Sequence, residues 1–268
     1  TGKVLKNLEG HSHDVYSVCW SPDGKYLASS SDSKNIIIWD ANSGRCLKTF
    51  EGHSESIMSV SWSPDGKYLA SGSYDETVKI WDAESGERLK TLNGHSYGVS
   101  SVSWSPDGKY LASSSEDGTI IIWDSKSGEK LRILDKHSST VYSVSWSPDG
   151  KYLASGSSDK TIKIWDAKSD VCIRTLNGHS GTVISVSWSP NGKYLTSSSD
   201  DNTVGLWNLY EEKKYSKWKN MPPNIYSSEL SPDGKYLARG LLNNTVIIVD
   251  AKSGEKLKAL EVDSYGES

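Results

Sequence analysis

A repeat with a period of 42 residues constrains the fold of this chain more than any other feature of its sequence. Two tryptophans and one histidine recur with that spacing through five consecutive units. The three series are Trp20, Trp62, Trp104, Trp146 and Trp188; Trp39, Trp81, Trp123, Trp165 and Trp207; and His11, His53, His95, His137 and His179. A unit of this size cannot bury its apolar surface alone, so neighbouring units must stack on one another. The sequence therefore predicts one repeat domain over residues 1–268.

Each unit contains short alternating runs that are separated by glycine and proline turns. In the third unit, residues 99–104 alternate apolar with polar side chains, and residues 119–123 are mostly β-branched, both of which favour β-strands. The segment Ser105-Pro106-Asp107-Gly108 is a turn, in which proline fits the first corner and glycine supplies a positive φ. Turns recur every ~8–12 residues, which argues against helices. We therefore expect four short antiparallel strands in each unit.

Six units fit into the chain, with approximate bounds 11–52, 53–94, 95–136, 137–178, 179–220 and 221–262. The sixth is degenerate, because Met221, Leu230 and Val249 stand where the histidine and the two tryptophans are expected. Its segment SPDGKYLA, residues 231–238, still identifies it as a unit.

Gly-His near the start of the first, second, third and fifth units and Trp-Asp near the end of the first four resemble the WD-repeat family of β-propellers. The resemblance extends over nearly the whole chain. It implies an all-β fold, a β-propeller of six four-stranded antiparallel blades around a central channel. The family more often has seven blades, but the residues outside the six units are too few for a seventh. The resemblance also implies a non-catalytic scaffold for protein–protein interaction.

Two segments compete for the fourth-strand position of the sixth blade. Residues 3–10 and 255–262 lie six whole periods apart, and both contain a fourth-strand pattern, VLKNLEG in one and KLKALEV in the other. The habit of the family favours the N-terminal segment, whereas the shorter connecting loop favours the C-terminal one. The N-terminal segment is the preferred candidate of the two.

Composition narrows the classes of function and location. A net charge of −4 and a pI near 5.9 argue against a general nucleic-acid binder, which usually has a basic surface. Cys19, Cys46 and Cys172 have neither metal-ligand nor redox spacing, so we expect reduced thiols and an intracellular, cytoplasmic protein. The N-terminal segment has no apolar core like that of a signal peptide, and the longest apolar run is about four residues. We therefore expect no membrane partner, and a monomer.

The most charged stretch is residues 211–220, EEKKYSKWKN, in the fourth-strand position of the fifth unit. Its lysines are typical of a solvated outer strand that discourages edge pairing. The alternative is a nucleic-acid patch with Tyr215 and Trp218 as stacking groups. The outer strand is the preferred interpretation.

The resemblance implies a hydrogen-bonded set of His, Ser, Asp and Trp inside each blade. The four complete sets are His53, Ser71, Asp75 and Trp81; His95, Ser113, Asp117 and Trp123; His137, Ser155, Asp159 and Trp165; and His179, Ser197, Asp201 and Trp207. The first blade has His11, Ser29 and Trp39, but Ser33 stands at the aspartate position. The sixth blade, with Met221, Arg239, Asn243 and Val249, has no such set.

Ser, His and Asp in one set also suggest a hydrolase triad. We favour a structural role, because the serine hydroxyl is occupied by a buried indole and the set repeats four times without an oxyanion donor. The histidines fall in different blades, which argues against a metal site. We therefore expect no enzyme activity, no metal and no cofactor.

The positions that differ most between units fall on segments that the family places on one end of the propeller, its top face. Tyrosines and apolar residues would surround the channel mouth under an acidic rim, which suits an Arg or Lys side chain of a peptide or protein partner. The candidate partner-binding residues are Tyr16, Met58, Tyr142, Ile184 and Tyr226 at the mouth, and Asp14, Glu55, Tyr97, Glu116 and Asp200 at the rim. The alternative is a purely structural or synthetic repeat protein without a ligand.

Overall fold

The structure, a computed structural model, describes residues 6–209, 215–218, 225–231, 235–241, 245–250 and 255–261. The described residues fall into two compact units. Residues 6–144 form the first unit, and residues from 145 onward form the second.

Every element of secondary structure in the described residues is a β-strand. The strands form six antiparallel sheets of four, and in each sheet they follow one another in chain order. Each sheet lies within one 42-residue repeat and is called a blade. The prediction of an all-β chain with six four-stranded antiparallel blades is confirmed.

The strands of each blade are as follows. The first blade has β1 Val15–Trp20, β2 Tyr26–Ser31, β3 Asn35–Asp40 and β4 Cys46–Glu51. The second has β5 Ile57–Trp62, β6 Tyr68–Ser73, β7 Thr77–Asp82 and β8 Arg88–Asn93. The third has β9 Val99–Trp104, β10 Tyr110–Ser115, β11 Ile120–Asp124 and β12 Lys130–Leu134. The fourth has β13 Val141–Trp146, β14 Tyr152–Ser157, β15 Ile162–Asp166 and β16 Cys172–Leu176. The fifth has β17 Val183–Trp188, β18 Tyr194–Ser199, β19 Thr203–Asn208 and β20 Tyr215–Trp218. The sixth has β21 Ile225–Leu230, β22 Tyr236–Leu241, β23 Thr245–Asp250 and β24 Lys256–Glu261.

The turn between the first two strands of a blade is closed by its own side chains. In the second blade, Ser63 Oγ donates to Asp65 Oδ1 at 2.7 Å and accepts a hydrogen bond from the Tyr68 amide at 2.9 Å. Gly66 has a φ of 73°, which glycine adopts without steric cost. The same Ser-Pro-Asp-Gly sequence therefore produces the same hairpin in each of the first four blades.

Successive blades pack through two different apolar surfaces. The downstream face of a blade, Ala28, Ile36, Ile38 and Phe50 in the first, packs against the upstream face of the next. The upstream face of the second blade is built on Ile57, Val60, Trp62, Leu69 and Trp81. The same pairing recurs between the second and third blades and between the fourth and fifth. The core of each unit therefore consists of layers between blades.

The upstream face of the first blade differs from its counterparts. Val15 is 54% exposed, Val18 63% and Trp20 59%. Their counterparts in the next four blades are at most 9% exposed; they are Ile57, Val60 and Trp62, Val99, Val102 and Trp104, Val141, Val144 and Trp146, and Val183, Val186 and Trp188. These three side chains of the first blade are therefore far more exposed than their counterparts in the next four blades.

The C-terminal segment supplies the fourth strand of the sixth blade. β24 pairs with β23, with Ile248 opposite Lys258, so the preference for the N-terminal segment was wrong. β24 directly follows β23 in the chain, so their pairing closes only a short loop. A short loop loses less conformational entropy on closure than a long one, which favours the C-terminal segment. Residues 6–10 contain no strand and lie along the first blade, where a Cβ atom on Gly10 would be 2.8 Å from Cη2 of Trp39.

The charged segment 211–220 contributes the outer strand of the fifth blade, as the preferred interpretation predicts. β20 pairs with β19, with Val204 opposite Trp218. The side chains of Tyr215 and Trp218 lie outside the described part of the structure.

Candidate functional site

The second blade contains an unbroken chain of hydrogen bonds between four buried side chains. Trp81 Nε1 donates to Ser71 Oγ at 2.8 Å, and Ser71 Oγ lies 2.7 Å from His53 Nε2. His53 Nδ1 lies 2.7 Å from Asp75 Oδ2. The carboxylate also accepts a hydrogen bond from Thr77 Oγ1 at 2.6 Å. The indole, hydroxyl, imidazole and carboxylate are thereby joined into one connected set within the blade.

The third and fifth blades repeat this chain with nearly the same distances. The indole-to-hydroxyl distance is 2.8 Å in both blades, and the hydroxyl-to-imidazole distances are 2.8 and 2.7 Å. The imidazole-to-carboxylate distances are 2.9 and 3.0 Å. The residues are His95, Ser113, Asp117 and Trp123 in the third blade, and His179, Ser197, Asp201 and Trp207 in the fifth.

The fourth blade has the same hydrogen bonds at the two ends of this chain, at the indole and at the carboxylate. Trp165 Nε1 donates to Ser155 Oγ at 2.9 Å, and Thr161 Oγ1 donates to Asp159 Oδ1 at 2.6 Å. His137 is buried. In the sixth blade Val249, at the tryptophan position, is fully buried, whereas the side chains of residues 221, 239 and 243 lie outside the described part.

The first blade completes its chain with a residue that sequence reasoning missed. His11 Nε2 lies 2.7 Å from Ser29 Oγ, which accepts a hydrogen bond from Trp39 Nε1 at 2.7 Å. His11 Nδ1 lies 3.0 Å from Oδ1 of Asn35, which takes the place of the carboxylate. Asn35 occupies the position at which the next four units have threonine. The paired change of Asp to Ser33 and Thr to Asn35 was the signal in the sequence that identifies this substitution.

Burial and hydrogen bonding together fix the protonation states in the second blade. Burial lowers the pKa of His53, so the ring is neutral. Burial alone would raise the pKa of Asp75, but hydrogen bonds from His53 and Thr77 outweigh it and hold that pKa well below its usual range. Because a carboxylate only accepts, His53 Nδ1 carries the ring hydrogen and Nε2 accepts from the Ser71 hydroxyl. Each group therefore donates to the next one, from indole to carboxylate.

This arrangement is suited to holding a blade together, and its serine is poorly placed for attack on a substrate. Ser71, Ser113 and Ser197 have no exposed surface. Each of these hydroxyls already accepts from an indole and contacts an imidazole. A nucleophilic serine needs a hydroxyl that reaches a bound substrate next to oxyanion donors.

Acid should destabilise the protein in two stages. Burial lowers the pKa of His53 and of His11, so the unfolded chain takes up protons first as the pH falls below the ordinary histidine value of about 6.5. The pKa of Asp75 and that of Asp117 are lowered in the folded state, so the stability from these carboxylates is lost only as the pH falls below about 4. We expect the free energy of unfolding in urea to be constant above about pH 7 and to fall through both ranges. A rise in stability between about pH 7 and 5 would show that the folded protein holds these histidines charged.

The second candidate region consists of loops and strand ends on one end of each blade. The extra residue of a β-bulge stands near the start of the first strand. In the first blade, Val15 pairs with Ser31 and Ser17 with Ser30, which leaves Tyr16 between them. Bulges re-aim a side chain out of the ladder. The bulge residues described in this way are Tyr16, Met58, Ser100, Ile184 and Tyr226.

Backbone hydrogen bonds join the loop before the first strand to the turn between the second and third strands. The amide of Asp32 donates to the carbonyl of Asp14 at 3.0 Å. The amide of Glu116 donates to the carbonyl of Gly98 at the same distance. Two segments that vary between repeats are therefore held side by side in one blade.

In the first compact unit, residues 6–144, these segments form what we call the variable surface. Its predicted site residues are Asp14, Tyr16, Glu55, Met58, Tyr97, Glu116 and Tyr142. Tyr97 is 62% exposed and Tyr142 is 37% exposed, whereas Tyr16 and Met58 are half-buried. Asp14, Glu55 and Glu116 are exposed. In the second compact unit, from residue 145 onward, Ile184 is half-buried and Asp200 is exposed. The side chain of Tyr226 lies outside the described part.

Contacts between neighbouring blades modify the charge of the variable surface. Lys34 Nζ lies 3.4 Å from Glu55 Oε2 and donates to the carbonyl of Ser54 at 2.7 Å. Ser56 Oγ donates to a carboxylate oxygen of Asp32. These pairs were missed at the level of sequence because their members stand in different repeats. Of the predicted rim carboxylates in residues 6–144, Asp14 and Glu116 are exposed, and Glu55 is exposed and lies beside Lys34.

No cluster suited to a metal ion occurs in the described residues, where no three His, Cys, Asp or Glu side chains come together. The three cysteines are free, and burial raises the pKa of the Cys19 thiol to about 12, which keeps it unreactive. The described part of the chain has no helix that could cross a membrane.

Six four-stranded blades, the first five of which repeat a hydrogen-bonded Trp and Ser, define a β-propeller of the WD-repeat class. Residues 16–180 match the family model of the WDR19 first beta-propeller, and residues 123–266 match that of the IFT122 first beta-propeller. Each match covers more than half of the chain. The chain therefore belongs to the WD-repeat β-propeller family. Propellers of this family generally act as protein-interaction scaffolds and are typically non-catalytic.

The curated relatives match over about one repeat. The chain is 50% identical over 38 residues to Protein HIRA of Dictyostelium discoideum, a match that covers 14% of this chain and 3% of the relative. It is 46% identical over 41 residues to the Protein HIRA homolog of Drosophila melanogaster, over 15% of this chain and 4% of the relative. It is 54% identical over 39 residues to Vegetative incompatibility protein HET-E-1 of Podospora anserina, over 15% of this chain and 3% of the relative. The matched segments thus span only a small part of each relative, and they support the repeat type.

Proposed function

We propose that this chain is a non-catalytic scaffold whose variable surface binds a peptide or protein segment that carries Arg or Lys. The observation that supports the proposal most directly is the β-bulge near the start of the first strand in the first, second, third, fifth and sixth blades. It places a different side chain in each of the first three blades, beside loops that also differ. A fixed frame with adaptable residues on its loops is the usual arrangement of a binding surface.

The side chains of the variable surface favour a cationic partner. Tyr97 and Tyr142 offer exposed aromatic rings, and a guanidinium or ammonium group is attracted to such a ring. Asp14 and Glu116 are exposed and supply negative charge on the same surface. An aromatic ring beside a carboxylate would hold a basic side chain through both contacts.

Titration of an Arg/Lys peptide library against variants tests the proposal. Tyr142→Ala should weaken binding by ~1–3 kcal/mol, the range for aromatic anchors at an interface. Glu116→Lys should weaken it more at low than at high salt, because exposed charges are screened by salt. Both side chains are exposed, so the thermal melts of these variants should match the wild type.

Two matched variants serve as controls. Leu131→Ala removes another exposed apolar side chain, 42% exposed, from a fourth strand. Glu84→Lys makes the same charge change at an exposed position in the turn between the third and fourth strands, at the opposite end of its blade. Both should bind like the wild type. Equal losses in control and test variants would place the binding surface elsewhere, and no binding by any library member would favour the purely structural alternative.

A further inference from the structure

A groove opens between neighbouring blades at the end that carries the Ser-Pro-Asp-Gly turns, opposite the variable surface. The groove between the second and third blades, which we call the second groove, has a volume of about 660 Å³. Its buried lining residues include Ile80 and Trp104, which are 2% and 7% exposed. The apolar residues around them are Pro64, Tyr68, Leu89 and Pro106. A concave surface of this size with apolar and aromatic walls is typical of a ligand site.

Two lysines stand at the rim of the second groove. Lys126 is exposed and lies in the turn between β11 and β12. Lys90 is half-buried on β8, and its stem packs against the same turn, where a Cβ atom on Gly128 would lie 3.1 Å from Cδ of Lys90. Neither ammonium group lies within ion-pair distance of a carboxylate in the described residues. Neighbouring blades therefore bring two positive charges to the same groove.

The carboxylates around the second groove are engaged within their own turns. Asp107 Oδ1 accepts hydrogen bonds from Ser105 Oγ at 2.7 Å and from the Lys109 amide at 3.1 Å. Its Oδ2 lies 3.4 Å from Lys109 Nζ. Asp65 and Asp124 likewise accept hydrogen bonds from a serine hydroxyl and a backbone amide of the turns in which they stand. The two lysines at the rim are therefore the charges that remain available to a ligand.

The wall of the second groove on the side of the third blade is fixed by a hydrogen bond. Ser125 Oγ, in the turn between β11 and β12, donates to the carbonyl of Gly108, in the turn between β9 and β10, at 2.7 Å. Both residues line the groove. A wall that is ordered before binding loses little conformational entropy when a ligand arrives, which favours affinity.

The groove between the first and second blades, which we call the first groove, has similar apolar walls but a different charge. It has a volume of about 430 Å³, and its apolar lining residues include Pro22, Tyr26, Leu47 and Trp62. Glu84 stands at the position of Lys126, so Lys48 shares this groove with a carboxylate. Ala83 stands at the position of Ser125 and cannot make the hydrogen bond between the turns. The chain therefore contains two grooves with similar apolar linings that differ in charge.

Between the fourth and fifth blades the corresponding cation is already bound within the protein. Arg174 stands at the position of Lys90, and its Nη1 donates to the carbonyl of Leu209 at 2.7 Å. The groove there has a volume of about 280 Å³. Compared with these two other grooves, the second groove thus combines a larger volume with two available cations.

We propose that the second groove binds an acidic peptide segment of a partner protein, with an apolar side chain in the groove and a flanking Asp or Glu at the two lysines. The apolar side chain is removed from water against Leu89 and Trp104. The carboxylate is attracted to the ammonium groups of Lys90 and Lys126. This site lies at the opposite end of the blades from the variable surface and takes a partner of opposite charge, so either proposal can fail without the other.

Calorimetric titration with short synthetic peptides tests the proposal. The probe peptide has a central leucine between glutamates, and the control peptides replace that leucine by serine or the glutamates by glutamines. The wild type should bind the probe at least about tenfold more tightly than either control peptide. Leu89→Ala should raise the dissociation constant of the probe about tenfold, as loss of an apolar anchor does. Leu47→Ala makes the same change at the corresponding, 47% exposed position of the first groove and should leave it unchanged.

Two charge changes at corresponding positions distinguish the grooves. Lys126→Glu should raise the dissociation constant of the probe at least about tenfold, because it places a like charge beside the bound carboxylate. Glu84→Lys should add a binding site in the first groove, which the titration detects as a higher stoichiometry. Both side chains are exposed, so the thermal melts of these variants should match the wild type.

Chemical coupling locates the bound peptide. A carbodiimide joins a carboxylate to a neighbouring lysine as an amide, and mass spectrometry should find the probe on Lys90 or Lys126, with much less coupling of the serine control. Equal binding of the probe and the serine control, equal effects of Leu89→Ala and Leu47→Ala, or coupling mainly to other lysines would each overturn the proposal. Binding of inorganic phosphate without binding of the probe would also overturn it, because the lysines would then serve a phosphorylated ligand.

Discussion

Replacing Ser113 by alanine should lower the free energy of unfolding by ~2–5 kcal/mol, the cost of leaving two buried polar groups without partners. Ser113 Oγ accepts from Trp123 Nε1 at 2.8 Å and lies 2.8 Å from His95 Nε2. All three residues are buried, so neither the indole nor the imidazole can turn to water for a replacement. Urea denaturation followed by tryptophan fluorescence measures the loss.

The neighbouring serine provides a closely matched control. Ser114 lies on the same strand, is also fully buried, and its Oγ has no hydrogen-bond partner. Ser114→Ala should therefore be neutral or stabilising, because it removes a buried hydroxyl that gains nothing from burial. Equal losses in the two variants would mean that the hydrogen-bond chain contributes nothing and that only the volume of the side chain matters.

Replacing Trp104 by alanine should lower the free energy of unfolding by ~3–5 kcal/mol, the usual cost of truncating a buried tryptophan. Trp104 is 7% exposed and packs between the second and third blades. Its Nε1 also donates to the carbonyl of Ser61. The substitution removes a large apolar contact, leaves a cavity and frees that carbonyl.

The same substitution at Trp20 should cost less than ~1 kcal/mol, as exposed positions generally do. Trp20 occupies the position of Trp104 in its own repeat but is 59% exposed. Urea denaturation of both variants measures the difference. If Trp20→Ala costs as much as Trp104→Ala, Trp20 is buried in the folded molecule in solution.

The strands and their order were predictable because every repeat carries the same local information. Alternation fixed the side that each residue faces, and the Ser-Pro-Asp-Gly turn fixed the first hairpin. The fourth strand of the sixth blade was predicted wrongly, because residues 3–10 and 255–262 carry the same pattern. Pattern could not separate them, and the entropy of closing a short loop did.

The buried chains of hydrogen bonds were accessible from the sequence only through the resemblance and the constant spacing of four residue types. Asn35 was missed because its role depends on a second change at Ser33. The bulge at Tyr16 was missed, although Val15, Val18 and Trp20 are spaced by three and then two positions, which is the mark that an extra residue leaves on an alternating pattern. The pair of Lys34 and Glu55 joins two repeats, and which loops come together depends on how blades stack.

The bulges have a consequence for how a chain of this kind can change over time. A bulge residue stands outside the ladder, so the pairs on either side of it, such as Val15 with Ser31 and Ser17 with Ser30, keep their register whatever residue is there. The blades already hold residues from serine to tyrosine at this position on nearly identical frames. A single substitution at this position can therefore change the side chain that one blade presents. The binding properties of the protein can change in this way one blade at a time, without loss of the fold.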